Sequence, residues 1–443
     1  MNVLVINQCS TNKGDRAVLF FVLRELARNG VDQITVSASN PQYWEDKPDF
    51  PNVAVRVIPW GWDISRRKDA GFFGKVIHRF WKVILPRRIH FPLVRNALIA
   101  GVRPWYLQFL VKKQYIEAIK QADLVISTGG HHMTTIIAQS IVTPQIFDMA
   151  VVLLYGKPLS LWSQSIGTFN FKSPKSEQMV QKILSYARHI YIRDETSAEQ
   201  IQKLGVSLER VSKTRESVFG LYDVVKSRTT PSNRPKVMGI SVWTGNKQTR
   251  EAWAHYIHCF AKLADHAIEA GYKIRFFPME MQGSDRPCIA EVINSVNKKA
   301  NCEIVEGFPD TVDHINAIAQ FRIFVGHKTH SQIFSLIAGT PLLAVAYHKK
   351  TEDFMAQFGL EKYCIADIQL SADKLIEMFN LINDNLDAIS SKQEQMAKKM
   401  CEQVKADFTQ MLEQSRGHDK DKAVSVGLKE ENEKSETHKI LVS

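Results

Sequence analysis

The sequence Gly326-His327-Lys328-Thr329-His330 sets a cation and two titratable rings between an apolar run, Ile323–Val325, and a helix-forming stretch, Ile333–Ala338. A strand that runs into a helix here would place unpaired amides and a positive dipole end beside these side chains. Phosphate or carboxylate is the ligand such a turn suits, with Lys328 and Thr329 as its contacts. His330 can then move protons, because an imidazole titrates near neutrality.

Three further turns carry polar residues in a similar setting. Asn12-Lys13-Gly14-Asp15 follows the apolar run Val3–Ile6. It is neither the dinucleotide fingerprint nor a Walker loop. Asn12 and Asp15 can face a ligand, or Asp15 can cap the helix that follows. Next, Asp123–Ser127 runs into Gly129-Gly130-His131-His132. The double glycine lets backbone amides approach a ligand closely. His131 and His132 stand where a proton donor or anion contact is useful, and with no third ligand nearby a metal site is not expected. Finally, Arg193 follows the run His189–Ile192 and precedes Asp194-Glu195-Thr196-Ser197. Its guanidinium can grip a carboxylate or phosphate bidentately, or it can pair with Asp194 or Glu195. Ser197 can cap the next helix.

These turns need elements to position them. Short β-branched runs alternate with amphipathic stretches: Val3–Ile6, Gln33–Ala38, Val53–Ile58, Asp123–Ser127, Leu159–Ser163 and His189–Arg193 read as strands. Asp15–Arg28 and Ser197–Leu204 read as helices between them. Ser227–Pro235 reads as a linker, after which the rhythm restarts with Val237–Val242, Lys273–Pro278, Cys302–Val305, Ile323–Val325 and Leu342–Ala346. The expectation is an α/β protein of two Rossmann-like, doubly wound domains facing a cleft, with boundaries near 1–226 and 236–414.

Bulk properties narrow the class. A chain of 443 residues exceeds one ordinary core. No run approaches the roughly 20 apolar residues of a membrane-spanning helix. The start, Met1–Asn7, reads as a core strand and not a signal peptide, and six scattered cysteines fit a reducing cytoplasm. The net charge of +11 calls for an acidic partner. Much of it falls between Arg66 and Lys113, where Arg and Lys interleave with Phe72, Phe73, Phe80, Trp81, Phe91, Trp105, Tyr106 and Phe109. That composition suits a segment lying on an anionic membrane, or else an insertion packed on its own domain. No nucleic-acid motif accompanies it. Residues 415–443 are rich in Lys, Glu, Asp and Ser and are expected to be disordered.

Taken in order, the turns resemble the polysaccharide pyruvyl transferase family. The resemblance lies in Asn12-Lys13-Gly14-Asp15, Gly129-Gly130, Gln164-Ser165-Ile166-Gly167, and Arg193-Asp194-Glu195-Thr196-Ser197. It continues through Lys328-Thr329-His330, Ile333–Pro341 and Tyr347-His348-Lys349-Lys350, and spans residues 1 to 365. It implies a GT-B-like fold and transfer of pyruvate from phosphoenolpyruvate to a sugar of a glycan or lipid-linked saccharide as a cyclic ketal. It implies no metal or organic cofactor. Arg193 and the Lys328/His330 turn would hold the donor across the cleft, with Lys349 nearby. His330 is the first choice as acid and base, His131 or His132 the second. The chain departs from the family pattern at Lys328, where an arginine is usual, and at Glu216-Ser217-Val218-Phe219, where an aspartate is usual.

Two other readings remain open. A GT-B-type glycosyltransferase would place a nucleotide-sugar diphosphate at the same helix start, although no acidic residue in Thr329–Ile333 would hold a ribose. A non-catalytic relative would tolerate lysine at 328. The expected location is cytoplasmic, peripheral on the inner face of the membrane.

Overall fold

Runs that are apolar on every residue make strands buried on both faces, and such strands pair in parallel between helices. The computed structural model obeys this rule in two sheets. It describes the chain except residues 10, 32, 45–53, 63–79, 81–83, 136–140, 244–248, 281–284, 307–309, 348, 418–428 and 431–443. The chain divides into two compact units. One comprises Met1–Ser10, Val22–Glu216 and Ala406–Ser443, the other Thr11–Phe21 and Ser217–Lys405.

The first unit contains strands β1 (Asn2–Cys9), β2 (Gln33–Ser39), β3 (Val55–Pro59), β4 (Leu124–Ser127), β5 (Gly130–Met133), β6 (Leu159–Ile166), β7 (His189–Ile192) and β8 (Val211–Lys213). Their order is β3-β2-β1-β4-β6-β7-β8, with β5 beside β6, and every pair is parallel. The chain winds outward from β1 to β3, then returns to β4 on the other side of β1, where Ile6 pairs with Ser127. That reversal opens the crevice beyond the carboxyl ends of β1 and β4 where open α/β sheets take ligands. Helix α1 (Lys13–Arg28) follows β1, α2 (Pro144–Leu154) precedes β6, and α3 (Glu195–Lys203) follows β7. Trp162 of β6 is fully buried, its ring 4.8 Å from Phe408 and 5.2 Å from Tyr191.

The second unit repeats the plan with β9 (Val237–Ser241), β10 (Lys273–Phe276), β11 (Cys302–Ile304), β12 (Ile323–Gly326), β13 (Leu342–Ala346) and β14 (Cys364–Ala366). The order β11-β10-β9-β12-β13-β14 is again parallel throughout and reverses between β9 and β12, where Ser241 pairs with Gly326. Its helices include α4 (Arg250–Glu269), α5 (Asp285–Ser295), α6 (Thr311–Ile318), α7 (Thr329–Ile337) and α8 (Lys349–Gln357). The closing helix α9 runs Leu386–Gly417.

The fold class is the one expected, two Rossmann-like domains of the GT-B-like kind. Several details differ. His131 and His132 lie on a strand, β5, that alternation alone did not announce, and β8 and β14 are too short to show a period. Helix α7 begins at Thr329, four residues before its apolar run, because Lys328 is already extended and Thr329 starts the helical turn. The cap of α1 is Asn12, whose Oδ1 accepts from the amides of Gly14 (2.8 Å) and Asp15 (3.3 Å). Asp15 is therefore not the cap. It lies in the first turn, where a carboxylate complements the helix dipole. Toward the C-terminus α9 extends past residue 415 to Gly417, and Lys429–Glu430 pairs with Val102–Arg103. The remainder of the segment expected to lack structure lies outside the described residues, as does most of the basic stretch before Ile84.

Candidate functional site

At the reversal of the second sheet, β12 ends in Gly326 and His327 and hands the chain to α7. Lys328 stands at the helix N-cap with its side chain about one-tenth exposed. A lone ammonium at that depth would be costly, and two carboxylates offset it. Lys328 Nζ lies 2.6 Å from Glu280 Oε1 and 2.7 Å from Asp285 Oδ1. Asp285 is held in turn by the amides of Met279 (2.8 Å) and Glu280 (3.2 Å), which donate to its Oδ2. Ser331 Oγ donates to the Lys328 carbonyl at 2.7 Å, which fixes the first turn of α7. Thr329 Oγ1 meets the Tyr347 hydroxyl at 3.1 Å.

The turn at Asn12 belongs to this same unit. Lys13 N donates to Met279 O at 3.1 Å, and Asn12 forms an isolated bridge with Glu280. The Lys13 side chain is fully buried, and its charge adds to burial in holding His314 well below the ordinary histidine range. The His330 ring lies against Gly14. A β-carbon at 14 would overlap the ring, so only glycine allows this approach. Two turns separated by more than 300 residues in sequence thus form one cluster of Asn12, Gly14, Glu280, Asp285, Lys328, Thr329 and His330. Asp15 is half-buried beside it and Lys349 is exposed at the start of α8.

The two histidines of this turn have different environments. His327 is fully buried, with Nδ1 2.9 Å from the Tyr256 hydroxyl, Nε2 3.6 Å from Asp367, and the rings of Trp243, Phe260 and Tyr347 around it. It is a core residue. His330, on the helix, is the one at the turn.

In the first unit, Gly129, Gly130, His131, His132 and Arg193 gather at the carboxyl ends of β4 to β7. Gly129 is needed because the Ser163 carbonyl would lie 2.9 Å from any β-carbon there, and Gly130 because the His132 ring lies over it. Gln164 Nε2 donates to the carbonyls of Ser127 (3.2 Å) and Thr128 (2.5 Å), tying β6 to the end of β4. Arg193 donates from Nε to Ser165 Oγ at 2.8 Å and from Nη1 to Glu216, and both members of the ion pair are more than nine-tenths buried. Its partner is therefore neither Asp194 nor Glu195. Asp194 caps α3 by accepting from Ser197 N at 2.9 Å, and it accepts from Ser165 Oγ at 2.6 Å. Ser197 Oγ accepts from Ile166 N at 2.8 Å, so it joins β6 to α3 while Asp194 serves as the cap.

The paired histidines also differ. His131 Nε2 bonds to the Gly167 carbonyl. Burial, then the charges of Arg193 and His131, push His132 down to about 4, so it is neutral at physiological pH. Its buried Nε2 has no hydrogen-bond partner among the described residues. Neutral His132 keeps one N–H and one lone pair, so it can donate or accept a hydrogen bond.

The roles of Glu280, Asp285 and Glu216 as partners did not emerge from sequence. Glu280 and Asp285 follow β10, and every strand-to-helix turn of a doubly wound sheet lies on the ligand side, so the position was a signal. Glu216 was visible only as a departure from the family pattern. Among the described residues no group of three or more His, Cys, Asp or Glu is placed to hold a metal ion, and no helix is long and apolar enough to cross a membrane.

Comparison with known proteins adds to this geometry. A family profile described as polysaccharide pyruvyl transferase matches residues 12–349. The amylovoran biosynthesis protein AmsJ of Erwinia amylovora is 23% identical over 417 residues, covering 88% of this chain and 94% of its own. Among solved structures, the MnaA–UDP co-structure from S. aureus aligns with a TM-score of 0.56 at 9% identity, over 94% of this chain and 96% of its own. The UDP-GlcNAc 2-epimerase from Neisseria meningitidis bound to UDP-GlcNAc aligns with 0.53 at 13% identity, over 94% and 99%. At these identities the two structures share the fold alone.

Proposed function

The chain belongs to the polysaccharide pyruvyl transferase family, and from that premise we propose that it moves pyruvate from phosphoenolpyruvate onto two hydroxyls of a sugar. The acceptor is a residue of a polysaccharide or lipid-linked repeat unit, and the product is a cyclic ketal. The observation that carries the reading is the single cluster formed by Asn12–Asp15 and Lys328–His330, with the His330 ring against Gly14. A compact, multiply charged anion suits a helix start that already holds a cation.

Protons balance without a cofactor. The enol CH2 gains one proton to become methyl, two hydroxyls add at C2 and lose two, and the departing phosphate takes the second. His330 is positioned to carry these protons in the cluster, with His131 and His132 as further candidates. Lys328 and Thr329 hold the anionic groups beside the α7 amides, and Arg193 is a second contact for the substrates' negative charge. Glu280 and Asp285 keep the Lys328 ammonium in place. Phosphoenolpyruvate is a cytoplasmic metabolite, so the reading places the enzyme on that side.

The test is phosphate release that requires both phosphoenolpyruvate and a glycan acceptor, with the ketal methyl observed by NMR on the product. Thermal stabilisation by phosphoenolpyruvate but not by nucleotide sugars is expected. Stabilisation by a nucleotide sugar alone, with glycosyl transfer, would overturn the reading in favour of a glycosyltransferase.

A further inference from the structure

Eight large apolar side chains stand exposed among the described residues, and five of them, Phe80, Ile84, Ile89, Trp105 and Phe109, fall between residues 80 and 109. Scattered singly they would be ordinary, but this concentration is not. Of these five the most exposed are Trp105 (56%) and Phe109 (70%), whose rings lie 6.0 Å apart edge to face. Phe109 lies on the short helical turn Leu107–Leu110 and Trp105 just before it, while Ile89 lies on the turn Pro86–His90 with exposed Arg87 and Arg88, and Ile84 precedes that turn. Lys113 stands at the end of the stretch with its side chain 90% exposed, in a solvent-open pair with Glu117 at 3.8 Å that leaves its ammonium accessible.

Charge selects the occupant. From Ala70 to Ile116 the sequence contains no aspartate or glutamate, yet it carries Lys75, Arg79, Lys82, Arg87, Arg88, Arg95, Arg103, Lys112 and Lys113. Exposed tryptophan and phenylalanine beside exposed arginine, in a stretch without acidic residues, form the side-chain set of a surface that sits in the headgroup layer of an anionic bilayer. A protein partner would more commonly bury such rings in a packed patch with mixed charge at its rim.

We propose that residues 84–113 are a peripheral docking surface for anionic phospholipid, with Trp105 and Phe109 inserting at the interface and Arg87, Arg88 and Lys113 binding headgroup phosphates. Docking would hold the enzyme where a lipid-linked acceptor is presented. It rests on the pyruvyl-transfer reading only for that purpose, because binding is measured without turnover.

The experiment is co-sedimentation of the full chain with vesicles of phosphatidylcholine alone, or of phosphatidylcholine with an equal part of phosphatidylglycerol. Binding is expected only to the anionic vesicles, weakened by salt. Removing each positive charge in Arg87→Gln/Arg88→Gln should weaken partitioning about fivefold. Trp105→Ser/Phe109→Ser should also lower it while leaving phosphoenolpyruvate turnover with a soluble acceptor unchanged. Equal binding to both vesicle types, or wild-type binding by both variants, would overturn the proposal. So would binding to duplex DNA or heparin with none to vesicles. Concentration-dependent dimerisation abolished by Trp105→Ser/Phe109→Ser, with no vesicle binding, would instead make this face an interface between copies.

Discussion

Arg193 and Lys328 are both mostly buried cations at the carboxyl ends of parallel strands, and they are held in different ways. Arg193 presents a planar fork, one arm to Ser165 and one to Glu216, and a single carboxylate balances its charge. Glu216 is too buried to swing aside. Lys328 is a point charge with two carboxylates on it, one inaccessible (Asp285) and one about a third exposed (Glu280). On the proposed reading, an incoming anion would displace the more exposed Glu280 and take its place beside the ammonium and the α7 amides. At Arg193 the same anion would add to an existing, buried pair. With two carboxylates on one ammonium, the lysine turn has no surplus positive charge, and the α7 helix start is what it would offer an anion.

Removing one partner from each arrangement separates them. Lys328→Ala should have the largest effect, because it leaves Asp285 buried beside Glu280 with no cation, at a cost of about 3–5 kcal/mol. A lowered unfolding midpoint in denaturant would register it, and Lys328→Arg should recover stability and most of the turnover. If Lys328→Ala were as stable as the parent, the two carboxylates would not depend on the lysine.

His330→Gln sharpens the chemical side. It should lower turnover about 100- to 10,000-fold, the range of a lost acid–base group, with little change in stability. Gly14→Ala should reproduce much of that loss by displacing the ring. Steady-state phosphate release measures both, and an unaltered rate in either would remove His330 from the mechanism.

Arg193→Lys should have a smaller effect, since one ammonium cannot satisfy Ser165 and Glu216 together. A loss of about 1.5–3 kcal/mol in apparent substrate binding is expected, seen as a raised KM. Equal KM values would assign Arg193 to the support of α3 and β6 and not to the substrate.

A further effect lies away from both cations and shows only as a pH slope. Asp148 on α2 is fully buried, and burial raises its carboxyl to about 8 even though the amides of Gly61 and Trp62 oppose the shift. Between the ordinary 3.8 and 8 the folded chain keeps a proton that the unfolded chain releases, so stability falls as pH rises through that window, by up to about 1.4 kcal/mol per pH unit. Asp148→Asn should flatten this slope in urea melts taken from pH 5 to 8. His132 acts in the opposite sense. The unfolded ring gains its proton near 6.5 and the folded one only near 4, so stability is lost as pH falls between them.

Much of the fold was legible because burial on both faces demands continuous apolar runs, and Val3–Ile6, Ile323–Val325 and Leu342–Ala346 appear as such. The turns after them were legible as sites, since strand ends in parallel sheets expose backbone amides. The partnerships were not. That Asn12 joins Lys328 depends on sheet reversals that set β9 beside β12 and on a glycine small enough to admit His330. That Arg193 pairs with Glu216 and not with adjacent Asp194 depends on Asp194 being taken by its own helix cap. Residue types and local spacing determined which elements form and where charge gathers along the chain. Which charges meet, and how deeply they are buried, was decided only by the tertiary structure, because ion pairing and desolvation depend on distances between residues remote in sequence.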